Sequence, residues 1–418
     1  MIIRSARFLL TRLLFLAMGL PIARYRKEVE QLWSLSEEAR TESLSRLLAR
    51  NRPLNSANAK VSGLEDLRSS PSLSKKQLRS QTTQGQQKLG KSGFGRHTAG
   101  TTGEPTEITL DRKELARMLA VRDYCFRHYG LKLGQREARL WGRPEAGIKS
   151  RLKNFVMNRR VFHPVGPQAK DEVADLLSWK PDYLYGYASL LLEAAQILDG
   201  MEIEFDPPKC VVCTAESILP AQKAYVSRVF KAPVAEEYGS TEFDVIAFEC
   251  TKGHRHLVNP WLIVEKGEDN GLISDVSRTS QNLIRYQLGD SFTIKDLACR
   301  ALGNVESIEQ LQGRTLDRFF YLSESNKIHA SVFSQLFDQY FTETNDIFAF
   351  SLRQDAYAEL EVFIDSAPTN GTMNLKEFLK REISGFAGVR IDVEVAVVVN
   401  GDRSEKRNYF VQNMKAPE

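Results

Sequence analysis

Two short runs of β-branched and aromatic residues, each leading straight into an apolar helical pattern, restrict this chain to few folds. Asp182-Tyr183-Leu184-Tyr185-Gly186 precedes a helix expected over 187–198 with an Ala- and Leu-rich face. Cys210-Val211-Val212-Cys213-Thr214-Ala215-Glu216 precedes another over 220–230. Such strand–turn–helix alternation indicates an α/β architecture. Ligand sites in these folds gather beyond the carboxyl ends of the strands. That rule puts Thr214-Ala215-Glu216 and Tyr238-Gly239-Ser240-Thr241-Glu242 in one crevice, because both follow strand-like runs. A further helix is expected over 109–129, and Leu44, Leu47 and Leu48 repeat at helical spacing after a Ser36 cap.

With 418 residues, 42% of them hydrophobic and 26% charged, the chain is long enough for a large domain and a small one. Its five cysteines (Cys125, Cys210, Cys213, Cys250, Cys299) are odd in number and scattered. They argue against a disulfide framework and for a reducing, cytosolic setting. The net charge of +4 hides an asymmetry, since residues 1–96 hold 18 Lys and Arg against 7 Asp and Glu. A solvated helical face explains this, with an acidic membrane surface as the rival reading. No zinc-finger spacing or aromatic–basic interleaving supports nucleic acid as a partner.

The most apolar run, Phe8 to Leu20, follows Arg4 and Arg7, is interrupted by Arg12, and is shorter than the roughly 20 residues a span needs. It reads first as a helix docked on the large domain, then as a peripheral membrane contact, then as a cleaved signal. From Ser69 to Ser92 the chain is rich in Ser, Gln and Lys and is expected to be flexible.

Arg96-His97-Thr98-Ala99-Gly100-Thr101-Thr102-Gly103-Glu104-Pro105 places hydroxyls and backbone donors around two glycines, which suits a loop wrapping a polyphosphate. No Lys follows Gly103, so the P-loop NTPase pattern is absent. Three more glycine-punctuated segments follow in order: Tyr238-Gly239-Ser240-Thr241-Glu242, Arg285-Tyr286-Gln287-Leu288-Gly289-Asp290 and Gly313-Arg314-Thr315-Leu316-Asp317. Together with Lys180-Pro181-Asp182-Tyr183-Leu184-Tyr185-Gly186-Tyr187, the set resembles the adenylate-forming superfamily. Within it the pattern is similar to the phenylacetate-CoA ligase branch and its capsule-biosynthesis and coenzyme-adenylating relatives.

The resemblance implies a large α/β domain with a small α+β C-terminal domain. The segments expected are 1–95 (helical, partly flexible), 96–313 (ATP- and acyl-binding core) and 314–418 (mobile C-terminal domain). It also implies ATP with Mg²⁺, a small-molecule carboxylic acid, and transfer to CoA or an amine acceptor. Thr98, Gly100, Thr101, Thr102 and Gly103 would wrap phosphates, and Thr214, Ala215 and Glu216 would border the adenine. Tyr238 would form an aromatic wall with Gly239 and Ser240 in its turn, Thr241 would contact phosphate, and Glu242 would hold Mg²⁺. Asp290 would accept from ribose hydroxyls at the end of an apolar strand, and Arg314 would reach phosphate or ribose oxygen. Arg285 reads equally as a structural ion-pair partner. Lys406 would bridge the carboxylate and the α-phosphate. The branch includes dimers, so a homodimer is allowed.

The chain departs from the pattern at Leu316, at Asn326 (expected to adopt positive φ in place of glycine) and at Glu405. These departures put the thioester-forming step in question and keep open a non-catalytic, nucleotide-binding scaffold in a surface-polysaccharide or secretion gene set. Cys250, His254 and His256 can ligate Zn²⁺, although CxxxHxH matches no strong finger pattern and the fourth ligand is not evident. A polar loop between strands is the competing reading. Tyr185, Tyr187 and Phe243 can line an acyl pocket or simply pack in the core.

Overall fold

The computed structural model describes residues 2–80, 93–97, 106–142, 147–265, 271–314, 319–398 and 409–414. Thr98, Gly100, Thr101, Thr102, Gly103, Leu316, Glu405 and Lys406 lie outside them, as does the side chain of Arg314. The α/β fold is present, in two compact units of interleaved segments. The first holds Met1–Gln135, Val156–Asn158 and Ala235–Leu311, and the second holds Arg136–Phe155, Arg159–Val234 and Gln312–Glu418.

The second unit contains the alternation read from the sequence. Strands Glu137–Leu140, Arg159–Phe162, Tyr183–Tyr187 and Val211–Thr214 pair in parallel. Helices Ala188–Asp199 and Pro220–Phe230 cover them. Pro220 supplies a preset φ at the helix start, and Lys231 ends that helix in the left-handed region. Gly186 has no room for a side chain, since a Cβ there would lie 2.4 Å from the Leu140 carbonyl oxygen. Leu140, Leu184, Leu191, Val211 and Val226 form the buried centre.

Beneath the strands, Glu137 is 1% exposed and accepts from Arg139 Nε (2.6 Å), Arg159 Nε (2.6 Å) and Tyr183 OH (2.7 Å). Burial alone would raise its pKa, but the two guanidiniums and the hydrogen bonds outweigh burial and hold it at about 2.

The C-terminal part of this unit is a four-stranded sheet in the order Asp392–Val397, Glu359–Ile364, Phe350–Gln354, Phe410–Gln412. Helices Ser331–Thr344 and Gly371–Ala387 pack with it around a phenylalanine core in which Phe337 and Phe350 stack at 3.6 Å. Gln222 Nε2 donates to the Phe348 carbonyl (2.8 Å), fastening the Pro220–Phe230 helix to it. Asn326 does not adopt the positive φ expected of it. Its carbonyl instead accepts from Leu322 and Ser323 N–H, which closes a turn between Phe319–Tyr321 and Lys327–His329 without glycine-like backbone.

The first unit opens with helices Ile2–Ala17, Ile22–Ser34 and Glu37–Asn51. Thr11 and Phe15 are buried, so the first helix is docked by one face. Ser36 Oγ accepts from Ala39 N–H (3.3 Å), and Leu44 and Leu48 are buried as their spacing requires. The helix expected over 109–129 begins later, at Arg112–Arg127. Glu107–Leu110 pairs as a strand with Phe94–His97, and Asp111 starts the helix with a full capping box to Glu114, which stops the strand pattern there.

The expectation of flexibility from Ser69 fails as far as residue 80. Leu73 N–H donates to the Arg285 carbonyl and Leu78 is fully buried, so two apolar side chains anchor a polar stretch. Strands Asp290–Asp296, Glu306–Arg314, Arg255–Leu257, Asp244–Glu249 and Val234–Ser240 lie side by side in that order. All five cysteines are free and buried.

Candidate functional site

In the first unit, strands Val234–Ser240 and Asp244–Glu249 form a hairpin with a bulge at Tyr238/Gly239. Its loop carries Thr241, Glu242 and Phe243. A Cβ on Gly239 would lie 2.0 Å from the Asp244 carbonyl oxygen, so only glycine lets the two strands approach this closely. Asp244 closes the loop at φ +60, a conformation that Asp and Asn tolerate better than most residues. Ser240 Oγ accepts from Phe243 N–H (3.2 Å).

Glu242 is 5% exposed, so its side chain is buried in the turn and not solvated. Its Oε1 accepts from Tyr286 OH (2.8 Å), and its backbone carbonyl accepts from Arg278 Nη2 (2.5 Å). Tyr238 OH in turn donates to Asp290 Oδ2 (2.9 Å). The two segments Tyr238–Glu242 and Tyr286–Asp290 are thus interlocked by a crossed pair of tyrosine–carboxylate hydrogen bonds. Burial first, then the neighbouring Asp290, pushes the Tyr238 phenol well above its ordinary pKa, so it stays a donor. Its ring packs edge-on to Phe292 at 5.9 Å.

Asp290 begins strand Asp290–Asp296 rather than ending one, after Gly289 at φ +88. Arg285 is the structural partner that one reading allowed, with Nε and Nη2 both donating to Glu265 at 2.9 Å.

Three residues that motif reading gave no role hold this arrangement. Arg278, 1% exposed, supports the Glu242 carbonyl, and its Nε lies 3.5 Å from Asp275 Oδ2. Glu114 accepts from Thr279 N–H (2.7 Å) and Ser280 N–H (2.9 Å), tying the Arg112–Arg127 helix to the segment bearing Arg278. Asp244 Oδ1 accepts from Arg122 Nη2 (3.1 Å) and from Arg96 Nη1 (3.0 Å). Arg96 lies two residues before Thr98, so an ion pair fixes the entry to the Gly/Thr segment against the hairpin that bears Glu242. No periodicity or motif links these residues in sequence.

In the second unit, strand Val211–Thr214 ends at Thr214, and Ala215 takes φ +67, strained for a residue with a Cβ. Glu216 Oε2 accepts from Ser189 N–H (2.9 Å), serving the first turn of helix Ala188–Asp199, whose Tyr187 cap offers no side-chain acceptor.

A second cluster sits in the first unit. Ligand atoms of Cys250, His254, His256 and Cys299 all lie within 4.8 Å of one another. Cys250 N–H donates to the His254 carbonyl (2.9 Å) across a turn joining Asp244–Glu249 to Arg255–Leu257. The fourth member, absent from the CxxxHxH pattern, is Cys299. Both ring nitrogens of His256 and Nδ1 of His254 are buried without hydrogen-bond partners. Burial lowers the His256 pKa and favours the neutral imidazole that binds metals.

No family model and no curated protein sequence matches the chain. Solved structures do. A 2-hydroxyisobutyryl-CoA ligase in the postadenylation state with R3-HIB-AMP superposes with a TM-score of 0.62 at 15% identity, over 94% of this chain and 88% of that one. The chain has the adenylate-forming fold. The same ligase in the thioesterification state, with 2-HIB-AMP and CoA, gives 0.51 at 16% identity over 91% of each chain. An anthranilate CoA ligase in complex with anthranoyl-AMP gives 0.50 at 12% identity, over 73% of this chain and 63% of that one.

Proposed function

We propose that this protein activates a carboxylic acid with ATP, forming an acyl-adenylate and pyrophosphate, and passes the acyl group to CoA or another acceptor. The observation that carries the reading is the crossed Tyr238–Asp290 and Tyr286–Glu242 pairing within an adenylate-forming fold. It orients two carboxylates before any ligand arrives, and preorganisation of this kind is how a transfer without a covalent protein nucleophile is catalysed. The substrate carboxylate attacks the α-phosphorus, and the bond to the β-phosphate oxygen breaks. Glu242 is the residue that would hold Mg²⁺, which offsets triphosphate charge. Asp290 takes the ribose hydroxyls and Thr241 a phosphate oxygen. Lys406 is the candidate for stabilising charge as pyrophosphate leaves.

The reading includes a structural Zn²⁺ on Cys250, His254, His256 and Cys299. Two thiols and two imidazoles within 4.8 Å, three of their ring nitrogens orphaned by burial, fit a closed tetrahedral site of the Cys₂His₂ type.

ATP–pyrophosphate exchange across a panel of carboxylic acids tests the main reading. Exchange dependent on one acid, falling at least about 100-fold in Glu242→Gln, is expected. ATP binding without exchange for any acid would favour the non-catalytic scaffold.

A further inference from the structure

The helix Ile2–Ala17 has two faces. One is fixed to the body through buried Thr11 and Phe15, with Arg7 Nη1 donating to Thr11 Oγ1 (2.7 Å) and the left-handed Gly134 backbone close against Thr11. The opposite face carries Leu9, Leu13 and Leu16, which are 60%, 62% and 59% exposed, with Leu10 beside them. The spacing i, i+4, i+7 sets these leucines in one stripe. A folded chain does not ordinarily leave so continuous a leucine face in water.

Charge identifies what covers it. The first 27 residues contain six Lys and Arg and no Asp or Glu. Three of them, Arg4, Arg7 and Arg12, are on the Ile2–Ala17 helix itself. A leucine stripe on a helix that carries arginines and no carboxylate matches the boundary of an anionic bilayer, where leucines enter the acyl layer and cations meet phosphate headgroups. No single helix among the described residues is long and apolar enough to cross a membrane. The next helix, Ile22–Ser34, turns away by 86° and buries Ile22, Tyr25, Val29 and Leu32 in the protein, so it does not extend the first into a span. The helix Ile148–Met157 repeats the chemistry, with Ile148, Leu152 and Phe155 exposed among Lys149, Arg151 and Lys153.

We infer that the Ile2–Ala17 helix is an interfacial anchor that holds the protein on an anionic membrane surface through Leu9, Leu13 and Leu16. The test is flotation of the full-length protein with vesicles of phosphatidylcholine alone and with about one-third phosphatidylglycerol. Flotation with the anionic vesicles only is expected, falling as NaCl rises from about 50 mM to about 500 mM. Leu9→Ser/Leu13→Ser/Leu16→Ser should weaken partition about 100-fold, while circular dichroism and ATP binding in vesicle-free solution stay unchanged. Three results overturn the inference: no flotation of the wild type, flotation that survives the triple substitution, or a dimer in sedimentation that the triple substitution dissolves. The last would assign the face to a second copy of the chain.

Discussion

Asp244→Asn isolates the ion-pair network under the candidate site with little change of shape. Asn keeps the side-chain volume and tolerates φ +60, so the substitution removes charge without adding backbone strain. In the wild type, Oδ1 of Asp244 receives Arg122 Nη2 at 3.1 Å and Arg96 Nη1 at 3.0 Å, and Glu237 Oε1 also accepts from Arg122 at 3.3 Å. Removing one partner of a buried ion pair costs about 3–5 kcal/mol. Two features reduce that here: Glu237 still faces Arg122, and Arg96 is more than a quarter exposed, so its pair is screened. The expected loss is therefore about 2–3 kcal/mol, read as a lower urea midpoint. Arg96 leads into the Gly/Thr segment and Glu242 sits two residues before Asp244. Pyrophosphate exchange should accordingly lose at least about 10-fold in kcat/KM for ATP, equivalent to about 1.4 kcal/mol. An unchanged urea midpoint together with unchanged exchange would refute the claim that this network holds the site. A drop in stability with normal exchange would refute only its positioning role.

Acid stability follows from Glu137, whose ionised form is favoured in the fold down to about pH 2, against an ordinary value of 4.5. Its contribution, about 3 kcal/mol, should be complete above pH 4.5 and lost as pH falls from there toward 2. Glu137→Gln should be less stable at neutral pH and lose less on acidification, measured by urea titrations at several pH values. For the cysteine–histidine cluster, elemental analysis should find one zinc per chain, and Cys299→Ser should lose it with a lower thermal midpoint. Metal content equal in the two proteins would remove Cys299 from the ligand set.

The α/β class was legible from local pattern alone, because a β-branched run followed by an apolar helix has few ways to bury both faces. The helix Pro220–Phe230 began and ended where Pro220 and its apolar run required. Local pattern misplaced the helix start near 109, since Thr109 and Leu110 pair with Phe94 and Gly95, partners 14 to 16 residues away that composition does not reveal. The glycine-punctuated segments could be found in sequence as separate motifs. Their interlock could not, because the Tyr286–Glu242 and Tyr238–Asp290 bonds join residues 44 and 52 positions apart.

The same holds for Arg278 beneath Glu242, for Arg96 and Arg122 on Asp244, and for Cys299 beside His256. Backbone propensity and amphipathic period act over a few residues, so the sequence by itself determined the strand–turn–helix alternation and most of the helices. Ion pairs and metal ligands depend on side chains that chain closure brings within a few ångströms, so only the tertiary structure decided which charges meet and which leucines of the first helix stay in contact with solvent.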